Sequence, residues 1–140
     1  MAEERTNEAL GGANDESPKK ELLLVDDDES YLKLIKKWMS EAYKAIAVKS
    51  GSQALKYLEG HKPDLVLLDY EMPEITGGDV LTKMREKPET ADIPVFFLTG
   101  NADDDFIAKI MELNPDGYLL KTMRRREIAA AVEAFFAKRP

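Results

Sequence analysis

The sequence has 140 residues, 44% hydrophobic and 34% charged, which suits one globular domain with enough apolar material for a core and excludes two large ones. It contains no cysteine and one histidine, His61. Disulfide scaffolds, thiolate metal sites and sites needing two imidazoles are therefore excluded, and any chemistry must rest on carboxylates, hydroxyls, Lys and Arg. With 27 acidic against 20 basic residues the net charge is -7, so the chain repels a phosphate backbone on average and direct nucleic-acid binding is not expected.

Residues 1–20 hold five acids, three bases, no aromatic residue and only Met1 and Leu10 as bulky apolar side chains. Such a segment cannot offset its ordering entropy, so a disordered extension is expected there, followed by an ordered domain over 21–138. The start, Met1-Ala2-Glu3-Glu4, has neither the basic nor the apolar region of a signal peptide, and no apolar run approaches a membrane span. These features predict a soluble, cytoplasmic protein with no membrane association.

From Leu22 onward short apolar runs alternate with stretches of helical period. Strands are predicted at Leu22–Val25, Ala45–Val48, Leu65–Leu68, Val95–Leu98 and Tyr118–Leu120,. After the first strand, Tyr31, Leu34, Ile35, Trp38 and Met39 recur at helical spacing, and Ile128, Ala131, Val132, Phe135 and Phe136 do so near the carboxyl terminus,. Shorter helical stripes are Ala54, Leu55 and Leu58, then Val80, Leu81 and Met84, then Ile107, Ile110 and Met111. Strand followed by helix, five times, with strands that are continuously apolar, predicts a doubly wound α/β fold: a five-stranded parallel sheet with helices on both faces.

In such folds the functional crevice lies beyond the carboxyl ends of the strands. The first strand is followed by Asp26-Asp27-Asp28, the third by Asp69, the fourth by Thr99-Gly100 and the fifth by Lys121. If strands one and three are neighbours, Asp26, Asp27 and Asp69 approach to about 4 to 5 Å, where each ionised pair costs roughly 4 kcal/mol at an effective dielectric near 20. Either a carboxyl takes up a proton or a cation is held between them. Oxygen ligands without sulfur or imidazole favour Mg²⁺, which typically keeps waters and takes one or two carboxylates plus a phosphate. Thr99 and Lys121 then suit that phosphate's remaining oxygens.

Other conspicuous residues read structurally. Asp28, Glu29 and Ser30 precede a helix and serve as caps, and Asp103, Asp104 and Asp105 open the fourth helix. Asn101-x-Asp103-x-Asp105 fails as a calcium loop because Phe106 occupies the glycine position,. His61 belongs to a loop, and Arg124-Arg125-Arg126 to a solvated helix start. Residues 121–140 nevertheless carry two acids and six bases, so the last helix could meet an acidic partner.

Taken together, Leu23-Leu24-Val25-Asp26-Asp27-Asp28, Pro63-Asp64-Leu65-Val66-Leu67-Leu68-Asp69, Met72-Pro73, Pro94-Val95-Phe96-Phe97-Leu98-Thr99-Gly100 and Gly117-Tyr118-Leu119-Leu120-Lys121 resemble the receiver domain of two-component response regulators, over residues 21–138. The resemblance implies a flavodoxin-like fold of strand order 2-1-3-4-5. It also implies a phosphoryl group accepted on Asp69 from a histidine kinase or histidine phosphotransfer protein, and Mg²⁺ bound by Asp26, Asp27, Asp69 and the backbone carbonyl of Glu71. Lys121 would pair with the phosphoryl group, Thr99 would swing towards it and Tyr118 would follow inwards, changing the surface offered to a downstream protein. The domain would act as a regulatory phosphoacceptor, not an enzyme with an external substrate, and as a monomer or weak homodimer.

Three departures from the family pattern stand out. Thr76 replaces a common Asp before Gly77 and reads as a loop matter; Glu71 adds an acid two residues past Asp69; and Thr122 follows Lys121 where Pro is usual. Cis is cheap only before Pro, so a trans Lys121–Thr122 peptide is expected, with the Lys121 amine still reaching Asp69. Two rival readings are a phosphorylation-independent interaction domain, against which the intact acidic set speaks, and a Mg²⁺-dependent phosphoester hydrolase, for which only Glu71 could act as acid or base. Past the last helix lie only residues 138–140, which fits a single-domain regulator, a phosphorelay intermediate or a receiver within a longer protein.

Overall fold

A computed structural model describes residues 18–139; residues 1–17 of the expected disordered extension lie outside the described residues. Five strands alternate with five helices: β1 Glu21–Val25, α1 Glu29–Met39, β2 Lys44–Val48, α2 Gly51–Leu58, β3 Leu65–Asp69, α3 Gly77–Glu86, β4 Val95–Thr99, α4 Asp104–Met111, β5 Gly117–Leu120 and α5 Arg125–Ala137. All strand pairings are parallel, in the order β2-β1-β3-β4-β5. The predicted fold class and strand order are those observed. Among the described residues no helix is long and apolar enough to cross a membrane.

Side chains alternate across the sheet, and both faces are covered because each strand is apolar at successive positions. Leu23, Val25, Val66, Leu68, Val95 and Phe97 pack on one face with Ala54 and Leu58 of α2, Val80, Leu81 and Met84 of α3, and Ile110 of α4. Leu22, Leu24, Leu65, Leu67, Phe96 and Leu98 pack on the other with Leu32, Ile35 and Met39 of α1 and Ile128 and Val132 of α5. The edge strands are less covered, with only Ala45 of β2 and Leu119 of β5 in the buried class.

The α1 stripe corrects the sequence expectation. Its buried residues are Leu32, Ile35 and Met39, whereas Leu34 is 42% exposed. At 100° per residue, Leu32, Ile35 and Met39 share one face, and Leu34 falls about 100° or more away from each of them, facing solvent. Tyr31 and Trp38 are partly buried against the same core.

Caps fix where each helix leaves the sheet. Asp28 accepts the Ser30 and Tyr31 N–H groups at 3.1 and 3.2 Å, and Asp103 accepts that of Phe106 at 3.1 Å, as expected of both. Arg124 caps α5 without a side-chain bond; instead Glu127 accepts the Arg124 N–H at 2.7 Å, setting a negative charge where the arginine run opposes the helix dipole. The residue missed by sequence reasoning is Thr76. Its hydroxyl accepts the Asp79 N–H at 3.1 Å while Asp79 accepts the Thr76 N–H at 3.0 Å, a reciprocal capping box on α3,. Gly77 beside it is required sterically, because a Cβ there would lie 2.8 Å from Tyr70 Cα. The start of α3 is thus pressed onto the backbone immediately after Asp69.

Candidate functional site

Strand register gathers the site. Val25 is paired with Leu68, Asp69 with Leu98 and Thr99 with Leu120, so β1, β3, β4 and β5 end almost level. Asp26, Asp69, Thr99 and Lys121 therefore come to one edge from four strands. Asp26 is fully buried, Asp69 is 3% exposed and Thr99 is fully buried, while Asp27 is exposed. Carboxylate oxygens of Asp26, Asp27 and Asp69 lie within 4.8 Å of one another, the distance anticipated from sequence.

Local backbone donors orient these groups. Asp26 Oδ1 accepts the Asp28 N–H at 3.0 Å, Asp69 Oδ1 accepts the Glu71 N–H at 3.3 Å, and Thr99 Oγ1 accepts the Asn101 N–H at 3.0 Å. Each carboxylate thereby keeps its other oxygen for the centre of the cluster. The Lys121 backbone N–H bonds to the Thr99 carbonyl at 2.9 Å, and among the described residues no peptide bond is cis, so the Lys121–Thr122 bond is trans as its residue types predict. The Lys121 ammonium still reaches the cluster, 2.7 Å from Asp26 Oδ2 and 3.5 Å from Asp69 Oδ2. It sits nearer to Asp26 than to Asp69.

The electrostatics follow from that geometry. Burial, then the Asp26 charge, push the Asp69 carboxyl up from 3.8 to about 8, even though Lys121 pulls it down. Burial disfavours the Lys121 ammonium, but its bond to Asp26 and the charges of Asp69 and Asp26 outweigh this and hold its pKa above the ordinary value. One ammonium cannot neutralise three carboxylates. Although Asp26 Oδ2 is ion-paired with Lys121, it lacks a properly directed hydrogen-bond donor and is fully enclosed. A buried, under-satisfied oxygen beside two further carboxylates is an oxygen-only donor set suited to a small hard cation such as Mg²⁺.

The side chains of the remaining predicted residues are exposed, although the Glu71 backbone lies against Asp69. The Glu71 side chain is exposed. Tyr118, on the outer strand β5, is 39% exposed. A residue the sequence assigned only to the core adjoins the site: the Tyr31 ring centroid lies 5.2 Å from the Lys121 amine. Its helical spacing with Ile35 and Trp38 concealed this, since a stripe gives no sign that its first member sits at the sheet edge.

The comparisons agree with this construction. The family model for the response regulator receiver domain matches residues 22–133. The alkaline phosphatase synthesis transcriptional regulatory protein PhoP of Bacillus subtilis (strain 168) is 34% identical over 122 residues, covering 85% of this chain and 49% of the relative. Among solved structures, the signal receiver domain of a signal transduction histidine kinase from Syntrophus aciditrophicus superposes with a TM-score of 0.78 at 27% identity, covering 86% of this chain and 94% of that one. The receiver domain of sensor histidine kinase PA1611 from Pseudomonas aeruginosa PAO1, solved with a magnesium ion coordinated in its active site cleft, gives 0.79 at 23% identity, covering 86% and 99%. The chain spans about half, or less, of the length of the first curated relatives it matches. By fold, strand-end residues and family match, the chain belongs to the response regulator receiver domain family.

Proposed function

We propose that Asp69 accepts a phosphoryl group from a phosphohistidine on a histidine kinase or histidine phosphotransfer protein. An Asp69 carboxylate oxygen forms the new P–O bond as the P–N bond to the donor imidazole breaks. The observation that carries this reading is a buried Asp69 with the Lys121 ammonium 3.5 Å away and two further carboxylates beside it. A nucleophilic oxygen, a cation for the transferred oxygens and a donor set for a metal occupy one sheet edge.

Asp26, Asp27, Asp69 and the Glu71 backbone carbonyl are the residues that would hold Mg²⁺. Bound there, the ion neutralises charge on the transferring phosphoryl group. The chain's own residues do the rest. Lys121 supplies a fixed positive charge, and the Thr99 hydroxyl, now accepting from Asn101, can donate to a phosphoryl oxygen by rotating its Cα–Cβ bond. Thr99 ends β4 and is paired with Leu120 of β5, so its movement is felt two residues from the partly exposed Tyr118. The product of the reaction is an altered protein-binding surface around β5, read by a downstream partner. This is regulation, not turnover of an external substrate.

The test is intact mass after incubation with Mg²⁺ and acetyl phosphate. The expected result is one phosphoryl adduct in the parent protein, its loss in Asp69→Asn, and no adduct when Mg²⁺ is chelated. An adduct that persists in Asp69→Asn would refute the assignment.

A further inference from the structure

Tyr31 is the third residue of α1, and its N–H is bound by the cap residue Asp28. The ring is therefore set by the same Asp26–Asp28 turn that carries two of the clustered carboxylates. Its centroid lies 5.2 Å from Lys121 Nζ, the amine that pairs with Asp26 and Asp69. Within about 6 Å an ammonium is attracted by the face of a tyrosine ring, the more so when partly desolvated, and the Lys121 side chain is only 20% exposed.

The hydroxyl of Tyr31 is buried and has no hydrogen-bond partner. Buried hydroxyls are rarely left so, and a purely apolar role would be met by phenylalanine without this penalty. Burial and the neighbouring charges of Asp26 and Asp69 also hold the phenol protonated, its pKa pushed up to about 12, so it is a donor throughout the neutral range. What it lacks is an acceptor. An anionic phosphoryl group on Asp69 brings additional acceptor oxygens to the cluster.

We propose that Tyr31 assists phosphoryl transfer in two ways: its ring positions the Lys121 ammonium over the acidic cluster and its hydroxyl donates to the phosphoryl group once it arrives. This rests on Asp69 being the phosphoacceptor. Neither role requires Tyr31 to touch the metal, so Mg²⁺ affinity is expected to be independent of it.

The experiment compares Tyr31→Phe, which keeps the ring, with Tyr31→Leu, which keeps apolar bulk alone. Phosphorylation by acetyl phosphate is followed by intact mass, Mg²⁺ affinity by calorimetric titration with the ion alone, and the Lys121 Cε protons by NMR. Tyr31→Phe is expected to slow phosphorylation about fivefold, the worth of one hydrogen bond, and to leave the ring-current shift of the Lys121 protons in place. Tyr31→Leu is expected to slow it at least about tenfold and abolish that shift, as both contacts go. Mg²⁺ affinity should stay within about twofold in both, a split that a general loss of packing would not produce. A parent-like rate in either variant, or a fall in Mg²⁺ affinity that accounts for the slower rate, overturns the proposal. The Asp69→Asn control separates the two readings: an adduct retained there defeats the phosphoacceptor assignment, whereas an adduct lost there with parent-like Tyr31 variants defeats only this inference.

Discussion

Replacing Asp69 with asparagine removes one ionisable carboxyl from a buried cluster while preserving its shape. At 4.8 Å, two carboxylates repel by about 3.5 kcal/mol at an effective dielectric of 20, and an ammonium at 3.5 Å attracts by about 4.7 kcal/mol. Attraction to Lys121 thus offsets repulsion from only one of the two neighbouring carboxylates, Asp26 and Asp27, and loss of hydration adds to what remains as the first cause of the raised Asp69 carboxyl. Moving that group from 3.8 to about 8 corresponds to an upper bound of about 5 to 6 kcal/mol between its charge states. Local relaxation and water entry reduce such figures severalfold, so about 2 kcal/mol is the expected size.

The direction is set by linkage. In the unfolded chain Asp69 ionises near 3.8, and in the fold its carboxyl is pushed up to about 8. Below about pH 3.8 both states are protonated and there is no penalty; as pH rises towards 8 the unfolded state alone gains the hydration of a free carboxylate, and folding is progressively disfavoured. Asparagine never ionises. In urea denaturation with chelator present, Asp69→Asn should thus match the parent near pH 4 and exceed its stability by about 2 kcal/mol at pH 8 and above, and millimolar Mg²⁺ should narrow the gap by binding the folded parent. A difference that does not change between pH 4 and pH 9 would refute the electrostatic account of the cluster.

Asp27→Asn should weaken Mg²⁺ binding by on the order of tenfold, read as a smaller rise in melting temperature per added Mg²⁺; superimposable titrations would remove Asp27 from the ligand set. Glu71→Gln should speed phosphorylation by acetyl phosphate about two- to fivefold, the size of one solvent-screened charge contact with an anionic donor, and an unchanged rate would mean that the Glu71 side chain is a bystander. Thr76→Ala should cost about 1 kcal/mol in urea denaturation through loss of the α3 cap, with no change in Mg²⁺ affinity. A cost below about 0.5 kcal/mol, the scatter of ordinary surface substitutions, would show that Asp79 and Gly77 anchor that turn without it.

The sheet was legible because its strands are short, apolar at successive positions and bounded by polar residues, a pattern that leaves few alternatives once four helical stripes separate them and a fifth follows. The site was legible for the same reason: Asp26, Asp69, Thr99 and Lys121 abut strand ends, and parallel register brings strand ends together. What escaped were properties that depend on rotation about an axis or on a loop path. Leu34 differs from Leu32 by two positions on a helix, enough to exchange core for solvent. Thr76 gave a visible signal, since Thr76-x-x-Asp79 resembles a capping box with Asp in the usual Glu place, yet the preceding loop hid that a helix begins there. Tyr31 gave none, because a ring at an amphipathic stripe's end faces core or site depending on the turn between β1 and α1.

On the proposed function, the position of Lys121 accounts for how the site would act as a switch. The ammonium lies closer to Asp26 than to Asp69, so its charge acts mainly on a residue that the proposed reaction leaves unchanged. Phosphorylation would turn the Asp69 carboxyl into a group of greater negative charge with several acceptor oxygens. The balance of attraction on Lys121 would then move from β1 towards β3, and the Thr99 hydroxyl would gain a stronger acceptor. Both residues belong to the β4–β5 end of the sheet, where Lys121 N–H binds the Thr99 carbonyl, so the two responses are mechanically joined. On the opposite side Asp26 is fixed by the β1–α1 turn through the Asp28 N–H, and α1 packs through Leu32, Ile35 and Met39. On that reading the asymmetry would direct the change outward through β5 and α4, which buries only Ile110, rather than through α1. A differential pull of this kind shifts a two-state equilibrium only by the energy with which it distinguishes the states; about 5.5 kcal/mol would be needed to carry the active population from roughly 1% to 99%. Lys121 and Thr99 together can supply part of that, and a partner that binds the altered β5 surface supplies the remainder by mass action.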